Sequence, residues 1–370
     1  MERGIRTVLV SSMTERTVDS CLVGQGLAGT TLAWTMLLRG ESLLIIDRDD
    51  AVTASRIAAG LLTPITGPKL ALTLYWNECR EIAERFYQRI EAQTGESLLA
   101  CRPAVHLFRS AAEQELFHTR LQSPDFKKQA RPLLPNEIPS FWNAPWGGFE
   151  MPHAAQLNVA RYLDVSRKHF IDAGCFQPGQ LDPATDLQIT ADTVRIPRWN
   201  VFAETLIFCQ GWTPNIPHWF ENVQFRPAKG EILTLNIPGM RERRSIHAGC
   251  WLAAGAEAET GTEYRLGSTF EWQQLDQSST SQARDTLLTR LRVWLKLAVE
   301  VTGQQAAVRP TMHDFHPVLG RHPQQSHIGI LNGLGTKGAL MAPWLAGLLV
   351  DHWKQGRPLP AELDVQRWFR

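Results

Sequence analysis

The sequence predicts an α/β protein with a second, mixed α+β lobe, and three observations lead to this fold class. The chain has 370 residues, whereas single hydrophobic cores stop growing at roughly 250–300 residues, so two lobes are expected. A strand-helix-strand pattern occupies residues 18–47, which indicates the start of a parallel sheet. Farther along, helical patterning at residues 75–93 alternates with strand-like stretches at 231–235 and 264–269, as in an α+β lobe.

Composition and charge exclude several classes of protein. The sequence is 44% apolar and 20% charged, which argues against disordered, collagen-like and coiled-coil chains. Its 38 Lys and Arg residues balance 37 Asp and Glu residues for a formal charge of +1, so nucleic acid is not an expected partner. No apolar run reaches the ~18 residues of a membrane span, and the charged N-terminus does not resemble a signal peptide. We therefore predict a cytoplasmic protein whose six scattered cysteines are reduced and mostly buried and form no metal site.

The first element is a short apolar run, Cys21-Leu22-Val23, that suits a buried parallel strand. It leads into the sequence Gly24-Gln25-Gly26-Leu27-Ala28-Gly29, which is followed by helix-period apolar residues. In a β-α-β unit, Gly24 would permit the tight turn, Gly26 would let a pyrophosphate approach the backbone, and Gly29 would let the helix pack on the strand. Because the positive end of a helix binds phosphates, this segment predicts dinucleotide binding.

A second apolar strand, residues 43–47, ends in a carboxylate. Asp47 lies 18 residues after Gly29, close to the spacing of an acid that accepts a hydrogen bond from a ribose hydroxyl. With Arg48 directly after it, the acid favours an adenosine ribose without a 2′-phosphate. The alternative is an exposed acid at a strand end, and the glycine motif alone does not decide between NAD and FAD.

The segment that follows, residues 55–64, is small and glycine-rich and then apolar. Small residues let a backbone run against a flat ligand and donate amides to it. The alternative is an ordinary loop that leads into a helix.

A second glycine-rich element lies near the C-terminus. Residues 328–331 indicate a buried strand, residues 332–338 form a glycine loop, and residues 339–350 indicate a buried helix that Pro343 would bend. A glycine loop at a helix N-terminus stabilises anions, and with Lys337 it could stabilise the negative charge of a reduced flavin. The alternative for Lys337 is a solvated loop lysine.

Upstream of this element, Arg309 precedes a proline and is therefore expected in extended backbone. Its guanidinium suits bidentate binding of a substrate carboxylate. Considered by itself, an arginine in such a place is more often a member of a structural ion pair.

Together these segments resemble the FAD-dependent D-amino-acid oxidase family, which includes glycine oxidase, sarcosine oxidase and the oxidase domain of a tRNA wobble-uridine modification enzyme. The resemblance extends from about residue 18 to the C-terminus, and its parts occur in the family's order. They are residues 24–29 with Asp47, 55–64, 147–152, 203–212, 226–231, 266–269, 308–320 and 333–343. Residues 1–17 have no recognised counterpart and are expected to be an extension or a mobile tail.

The resemblance implies a Rossmann-type FAD-binding domain, discontinuous in sequence, and a substrate domain built on a large antiparallel sheet. The FAD-binding domain would comprise residues 15–95, 150–222 and 309–370, and the substrate domain would comprise residues 96–149 and 223–308. The mixed helix and strand patterning of the insertions agrees with such a substrate domain.

The resemblance also implies roles for individual residues. Cofactor contacts are expected from Gly24, Gly26, Leu27, Ala28, Gly29, Asp47, Arg48, Ser55, Ala59, Gly60, Gly211, Gly333, Gly335, Thr336, Lys337 and Gly338. Arg309 matches the arginine that holds the substrate carboxylate in glycine oxidase, and Lys337 belongs to the loop at the pyrimidine edge of the flavin. Trp251 stands where glycine oxidase has a hydroxyl-bearing aromatic pocket residue, so the substrate stays open. No cysteine lies where sarcosine oxidase tethers its cofactor, which predicts non-covalent FAD.

These roles predict an oxidoreductase that oxidises the C–N bond of a small-molecule amino acid or related primary or secondary amine. Hydride would pass to the flavin, with O2 as the electron acceptor. One alternative is a flavin dehydrogenase of amines or hydroxy acids that uses a quinone or a protein as acceptor. Another is an oxidase of the tRNA wobble-uridine modification type, although RNA binding usually needs a basic face. A non-catalytic flavoprotein is the third alternative.

Overall fold

The computed structural model describes residues 15–191, 193–255 and 263–369. Residues 1–14, most of the predicted extension or tail, lie outside the described residues, whereas Arg16 and Thr17 belong to the first strand. The helices are α1 (Leu27–Leu37), α2 (Trp76–Thr94), α3 (Ala111–Arg120), α4 (Pro124–Gln129), α5 (Val159–Asp172), α6 (Ser281–Arg292) and α7 (Gly338–Gln355). The strands are β1 (Arg16–Val23), β2 (Leu43–Asp47), β3 (Leu61–Leu62), β4 (Ile65–Thr66), β5 (Ala71–Leu72), β6 (Leu99–Cys101), β7 (Ala104–Leu107), β8 (Arg131–Pro132), β9 (Gly148–Met151), β10 (Ala155–Leu157), β11 (Phe176–Pro178), β12 (Gln188–Ile189), β13 (Val194–Ile196), β14 (Val201–Phe208), β15 (Ala228–Asn236), β16 (Ser245–His247), β17 (Trp251–Ala254), β18 (Glu263–Gly267), β19 (Glu300–Arg309), β20 (Val318–His322) and β21 (Gln325–Asn332).

The first sheet is mainly parallel and contains the predicted β-α-β unit. Strands β11-β2-β1-β14-β21 lie in this order and are all parallel, and β20 pairs antiparallel with β21. The antiparallel hairpin β12-β13 extends the sheet beside the first residues of β14. Strand β2 has the predicted bounds, and its first four residues are buried.

Both faces of the first sheet are covered, which explains why its strands are continuous apolar runs. Helices α1, α2, α5 and α7 share one core with the inner strands, in which Leu22 and Tyr87 are fully buried. A second core on the same sheet includes Trp199 and Phe220. The continuous apolar runs in these strands therefore indicate burial on both faces of the sheet, whereas burial on one face would give alternating apolar and polar residues.

The C-terminal helix α7 contains Pro343, as predicted. Because proline cannot donate a backbone hydrogen bond, the carbonyl of Ala339, four residues earlier, has no helical partner. The hydroxyl of Tyr87 in α2 donates to this carbonyl at 2.8 Å. This hydrogen bond satisfies the freed carbonyl and joins the two helices inside the core.

The second sheet has eight strands in the order β19-β15-β18-β17-β16-β7-β9-β8. All neighbours are antiparallel except β16 and β7, which agrees with the antiparallel sheet that the family resemblance implies. One face packs on α6, with Leu233 and Trp294 in its core. Ile232 points to the opposite face, because side chains alternate along a strand, and there it packs against Ile57 from the segment after β2.

An arginine of the second sheet holds this segment in place. Arg265 in β18 donates to the carbonyl of Ala58 at 3.0 Å and also to that of Ile57. Burial lowers the pKa of Arg265. The segment after β2 is therefore held between the two sheets, where it forms part of the site described below.

The fold class and the cysteines agree with the sequence-based expectations. The two large sheets with their helices give the predicted α/β plus α+β class. All six cysteines are free, and five of them are buried. Within the described ranges, no helix is both long and apolar enough to cross a bilayer.

Candidate functional site

A cavity of about 600 Å³ is lined by both sheets. The carboxyl ends of the parallel strands contribute Val23, Asp47, Cys209 and Asn332. This edge is where ligands bind in open α/β sheets. The second sheet contributes Gly230, Ile232, Trp251, Ala307 and Arg309.

The predicted glycine loop forms one end of the cavity. Gly24 has a φ of +104°, and a Cβ atom at Gly29 would lie 1.8 Å from the Gly24 carbonyl oxygen, so the turn and the close packing of α1 both require glycine. Gly26, Leu27 and Ala28 line the cavity. Because a helix leaves its first backbone N–H groups without partners in the helix, this turn suits a phosphate group.

Asp47 is held by three donors. It accepts hydrogen bonds from the amides of Gln25 (2.6 Å) and Asp49 (2.8 Å) and from the guanidinium of Arg167 (3.1 Å). Arg167 also donates to the Gln25 side chain at 2.6 Å. A carboxylate has about four acceptor positions, so a ribose hydroxyl can still bind. Sequence reasoning missed Gln25 and Arg167, since Arg167 lies 120 residues from Asp47 and carries no local signal.

Residues 55–64, the segment predicted to run against a flat ligand, begin beside the start of α1. The Ser55 hydroxyl accepts a hydrogen bond from the Leu27 amide at 3.0 Å. Gly60 has a φ of +69°, and a Cβ atom there would lie 1.9 Å from the carbonyl oxygen of Leu157. Ser55, Ala59 and Gly60 all line the cavity. Glycine is therefore required at residue 60 by its backbone conformation and by the close approach of Leu157.

The turn after β14 contains a buried polar atom without a partner. Gly211, with a φ of +65°, accepts a hydrogen bond from the Asn332 side chain at 2.8 Å. The neighbouring Gln210 lines the cavity, and its Oε1 is buried without a hydrogen-bond partner among the described residues. Because buried polar atoms are normally paired, this oxygen indicates a donor on a bound ligand.

The C-terminal glycine loop reaches the cavity through some of its predicted residues. Gly335, Thr336 and Gly338 line it, whereas Gly333 and Lys337 do not. Gly333 has a φ of +75°, which explains glycine at that position by backbone conformation alone. Lys337 precedes α7 as its N-cap residue, and burial lowers the pKa of its ammonium group.

Arg309 ends β19 at the cavity wall. The carbonyl of Thr269 accepts from both terminal nitrogens at 3.3 and 3.4 Å, and the guanidinium carbon lies 4.6 Å from the centroid of the Phe270 ring. A Cβ atom at Gly230 would lie 1.8 Å from the guanidinium. The lack of a side chain at Gly230 therefore leaves room for the guanidinium of Arg309. Burial lowers the pKa of Arg309 to about 10. No Asp or Glu of the described chain forms an ion pair with it, so the structural ion pair considered from the sequence is not found.

Trp251, in β17, contributes an indole ring to the wall next to this arginine. A Cβ atom at Gly267 on the neighbouring strand would lie 2.3 Å from the indole, so the missing side chain makes room for the ring. Trp251 packs against Ile57 and Ile232. The ring therefore connects the second sheet to the segment after β2.

Most of the predicted site residues come together in this cavity. Arg48 lines it and pairs with Asp50 at 2.8 Å. The predicted residues outside its lining are Gly29, Gly333 and Lys337. A search of the described residues finds no His, Cys, Asp and Glu group that could hold a metal ion. A glycine turn, a positioned acid and an unpaired buried oxygen are features that fit a dinucleotide.

Comparisons with known proteins identify the family of the chain. The model of the family described as FAD dependent oxidoreductase matches residues 19–352. The chain is 25% identical, over 377 residues, to the tRNA 5-methylaminomethyl-2-thiouridine biosynthesis bifunctional protein MnmC of Caulobacter vibrioides, with 96% of this chain and 58% of that protein covered. Glycine oxidase from Bacillus cereus matches with a TM-score of 0.79 and 17% identity, over 92% of this chain and 96% of that chain.

Two further solved structures share the fold. Glycine oxidase from Geobacillus kaustophilus has a TM-score of 0.78 and 17% identity, over 95% of this chain and 99% of that chain. L-proline dehydrogenase from P. horikoshii has a TM-score of 0.75 and 13% identity, over 96% of this chain and 99% of that chain. The chain spans 58% of the length of the curated relative that it matches. Because the family model covers residues 19–352, the predicted family is confirmed, and the chain belongs to the FAD-dependent oxidoreductase family.

Proposed function

We propose that the protein binds FAD non-covalently in this cavity and oxidises the C–N bond of an amino acid or a related primary or secondary amine. The observation that carries the proposal is Arg309, a half-buried guanidinium that lines the cavity and has no Asp or Glu partner among the described residues. A partly desolvated positive charge without an acidic partner is unfavourable, so the site favours an anionic ligand group. A guanidinium fork matches a carboxylate.

The geometry of the cavity supports a proposal for the residues that hold FAD. The amides at the start of α1 would bind the pyrophosphate, and Asp47 would accept from the ribose. Ser55, residues 57–60, Gly335, Thr336 and Gly338, which line the cavity, would lie along the flavin. When bound, FAD supplies a two-electron acceptor for the C–H bond next to the substrate nitrogen. We assign residues 15–95, 150–222 and 309–370 to the FAD-binding domain and residues 96–149 and 223–308 to the substrate domain.

Non-covalent binding is supported by the cysteine nearest the site. Cys209 is the one cysteine among the described residues that line the cavity. Burial raises the pKa of its thiol, and a protonated thiol is a poor nucleophile. The unpaired cysteines also support the proposal of a reducing, cytoplasmic location.

The chain's own residues would position the substrate rather than move its protons. Arg309 would pair with the carboxylate, and Trp251 would limit the space beside it. No histidine, lysine or glutamate occurs among the described lining residues, whose acids are Asp47, Asp50 and Asp182. We propose that the amine binds without its proton. Oxidation would leave an imine, which water hydrolyses. Positioning and electrostatics are then the protein's contribution.

The names of the structural neighbours support this chemistry. Two are glycine oxidases and one is an L-proline dehydrogenase, so their names give amino acids as their substrates. We propose O2 as the electron acceptor. Because one neighbour is named a dehydrogenase, a quinone or a protein is the alternative electron acceptor. Because the MnmC relative is named for tRNA modification, a modified uridine of tRNA is the alternative substrate.

The test is the visible spectrum of the purified protein under anaerobic conditions. Glycine, N-methylglycine, proline, simple amines, lactate and tRNA bearing carboxymethylaminomethyluridine would each be added. We expect carboxylate-bearing amines to bleach the flavin bands and lactate to leave them unchanged. Rapid recovery in air supports an oxidase, whereas recovery only with a quinone supports a dehydrogenase. Bleaching only by the tRNA supports the modification alternative, and a yellow protein that no amine bleaches contradicts the proposal.

A further inference from the structure

Two large aromatic side chains lie exposed beside Arg309. Phe270 is 51% exposed and Trp272 is 53% exposed, and their rings stack with centroids 6.2 Å apart. The Phe270 ring also lies on the Arg309 guanidinium, at 4.6 Å. Ser268 and Leu275, which flank the pair in sequence, line the cavity. The aromatic pair therefore lies at the border between the cavity and solvent.

The backbone that carries this pair is anchored to the second sheet. Glu271, between the two aromatic residues, exchanges two backbone hydrogen bonds with Lys229 of β15, at 2.8 and 2.9 Å. The Lys229 side chain is 2% exposed and donates to Asp276 at 2.5 Å. Residues at i and i+2 of an extended segment point to the same side, so both rings stand together. The segment presents a prearranged aromatic surface.

Charge around the pair restricts what it can bind. The guanidinium carbon of Arg226 lies 5.9 Å from the Trp272 ring centroid, and Arg309 lies at the Phe270 end. The carboxylate of Glu271 accepts from the Gln273 amide at 2.6 Å. Two cations thus flank the rings, which disfavours a cationic ligand. Scattered exposed aromatic residues are ordinary, but two stacked rings next to a half-buried guanidinium that has no acidic partner among the described residues indicate a binding surface.

We propose that Phe270 and Trp272 form a stacking subsite for a planar ring of the substrate, whose carboxylate pairs with Arg309. The substrate class is an amine that carries both a carboxylate and an aryl or heteroaryl group. Phe270 is the member of the pair beside the carboxylate position, because its ring centroid lies 4.6 Å from the guanidinium carbon. The identity of the substrate as an amine rests on the proposed function, whereas binding of the ring requires no reaction.

Isothermal titration calorimetry of the FAD-bound enzyme tests the subsite with unreactive carboxylates. The probes are 3-phenylpropanoate and 3-cyclohexylpropanoate, which differ in ring planarity. We expect the phenyl compound to bind about tenfold more tightly, and Trp272→Ala to reduce this ratio below about threefold. The control Trp146→Ala, at a residue that is 42% exposed and lines a different cavity, keeps the ratio. Equal affinities in the wild type, or an unchanged ratio in Trp272→Ala, overturn the subsite.

Flavin reduction then identifies the source of the ring. N-benzylglycine, N-(cyclohexylmethyl)glycine and the nucleoside 5-carboxymethylaminomethyluridine would be compared with N-methylglycine. Faster reduction by the benzyl compound assigns the ring to an amino acid, and faster reduction by the nucleoside assigns it to a nucleobase. If amines reduce the flavin without any preference for a ring, the subsite fails and the proposed function stands. If no amine reduces the flavin but the calorimetric ratio holds, the proposed function fails and the subsite stands.

Discussion

The substitution Arg309→Met removes the guanidinium from the cavity wall and keeps an unbranched side chain of similar length. Burial lowers the pKa of Arg309 from its ordinary 12.5 to about 10, and at about 1.4 kcal/mol per pKa unit the buried charge destabilises the fold by about 3 kcal/mol. The substitution also leaves the Thr269 carbonyl without its two hydrogen bonds, which costs about 1–3 kcal/mol. The free energy of unfolding should therefore stay level or rise by about 1–2 kcal/mol.

The affinity of the variant for a carboxylate should fall. Hydrogen bonds to a charged group contribute about 1.5–3 kcal/mol, and about 3 kcal/mol corresponds to roughly a hundredfold loss of affinity. The dissociation constant of acetate, measured by calorimetry on the FAD-bound enzyme, should rise by about this factor. The flavin absorbance per polypeptide should not change. A variant that loses FAD and unfolds more easily would refute the reasoning, because Arg309 would then be a structural residue.

Arg321 offers a matched control. Its guanidinium lies 4.6 Å from the Trp353 ring centroid, burial lowers its pKa, and it does not line the cavity. Arg321→Met should leave acetate affinity unchanged. In the wild type, acetate binding should weaken as the pH rises through about 10, since the pKa of Arg309 is about 10 and only the protonated guanidinium pairs with a carboxylate. Binding that persists unchanged well above this pH would contradict the role of Arg309.

Three further substitutions test the cofactor side of the cavity. Gly29→Ala should yield protein with little flavin absorbance, because its Cβ would lie 1.8 Å from a backbone oxygen. The control Gly347→Ala, in the open part of α7, should stay yellow. A fully yellow Gly29→Ala protein would reject the close packing. Gln210→Leu removes an unpaired buried oxygen, so the free energy of unfolding of the apoprotein should rise by about 1 kcal/mol. The variant should also bind FAD more weakly, as measured by fluorescence titration. Unchanged FAD affinity would show that Gln210 does not contact the cofactor. Arg265→Met frees the segment after β2, and faster FAD dissociation measured by dialysis is expected; an unaltered dissociation rate would exclude that positioning role.

The local parts of the site could be predicted because consecutive residues encode them. The glycine turn, the strand ending in Asp47 and the C-terminal glycine loop each require special backbone conformations or burial at adjacent positions. Their supporting contacts could not be predicted, since the partners are distant in sequence. Arg167 lies 120 residues from Asp47, and Arg265 lies 207 residues from Ala58. No short pattern marks either arginine.

The role of Arg309 shows a second limit. The sequence predicts its extended backbone but leaves a ligand contact and an ion pair as alternatives. Burial, the space at Gly230 and the absence of an acidic partner in the described ranges favour the ligand. For Lys337 the structure does not favour a ligand contact, because Lys337 does not line the cavity, although its neighbours Thr336 and Gly338 do.

The most direct test of the central claim compares two amines that differ only by a carboxylate. The rate of anaerobic flavin reduction would be measured by stopped flow with N-methylglycine and with dimethylamine. A guanidinium that selects the carboxylate predicts reduction by N-methylglycine at least about a hundredfold faster at equal low concentration. Equal rates for the two compounds, or reduction by neither amine nor any other amino acid, would contradict the account.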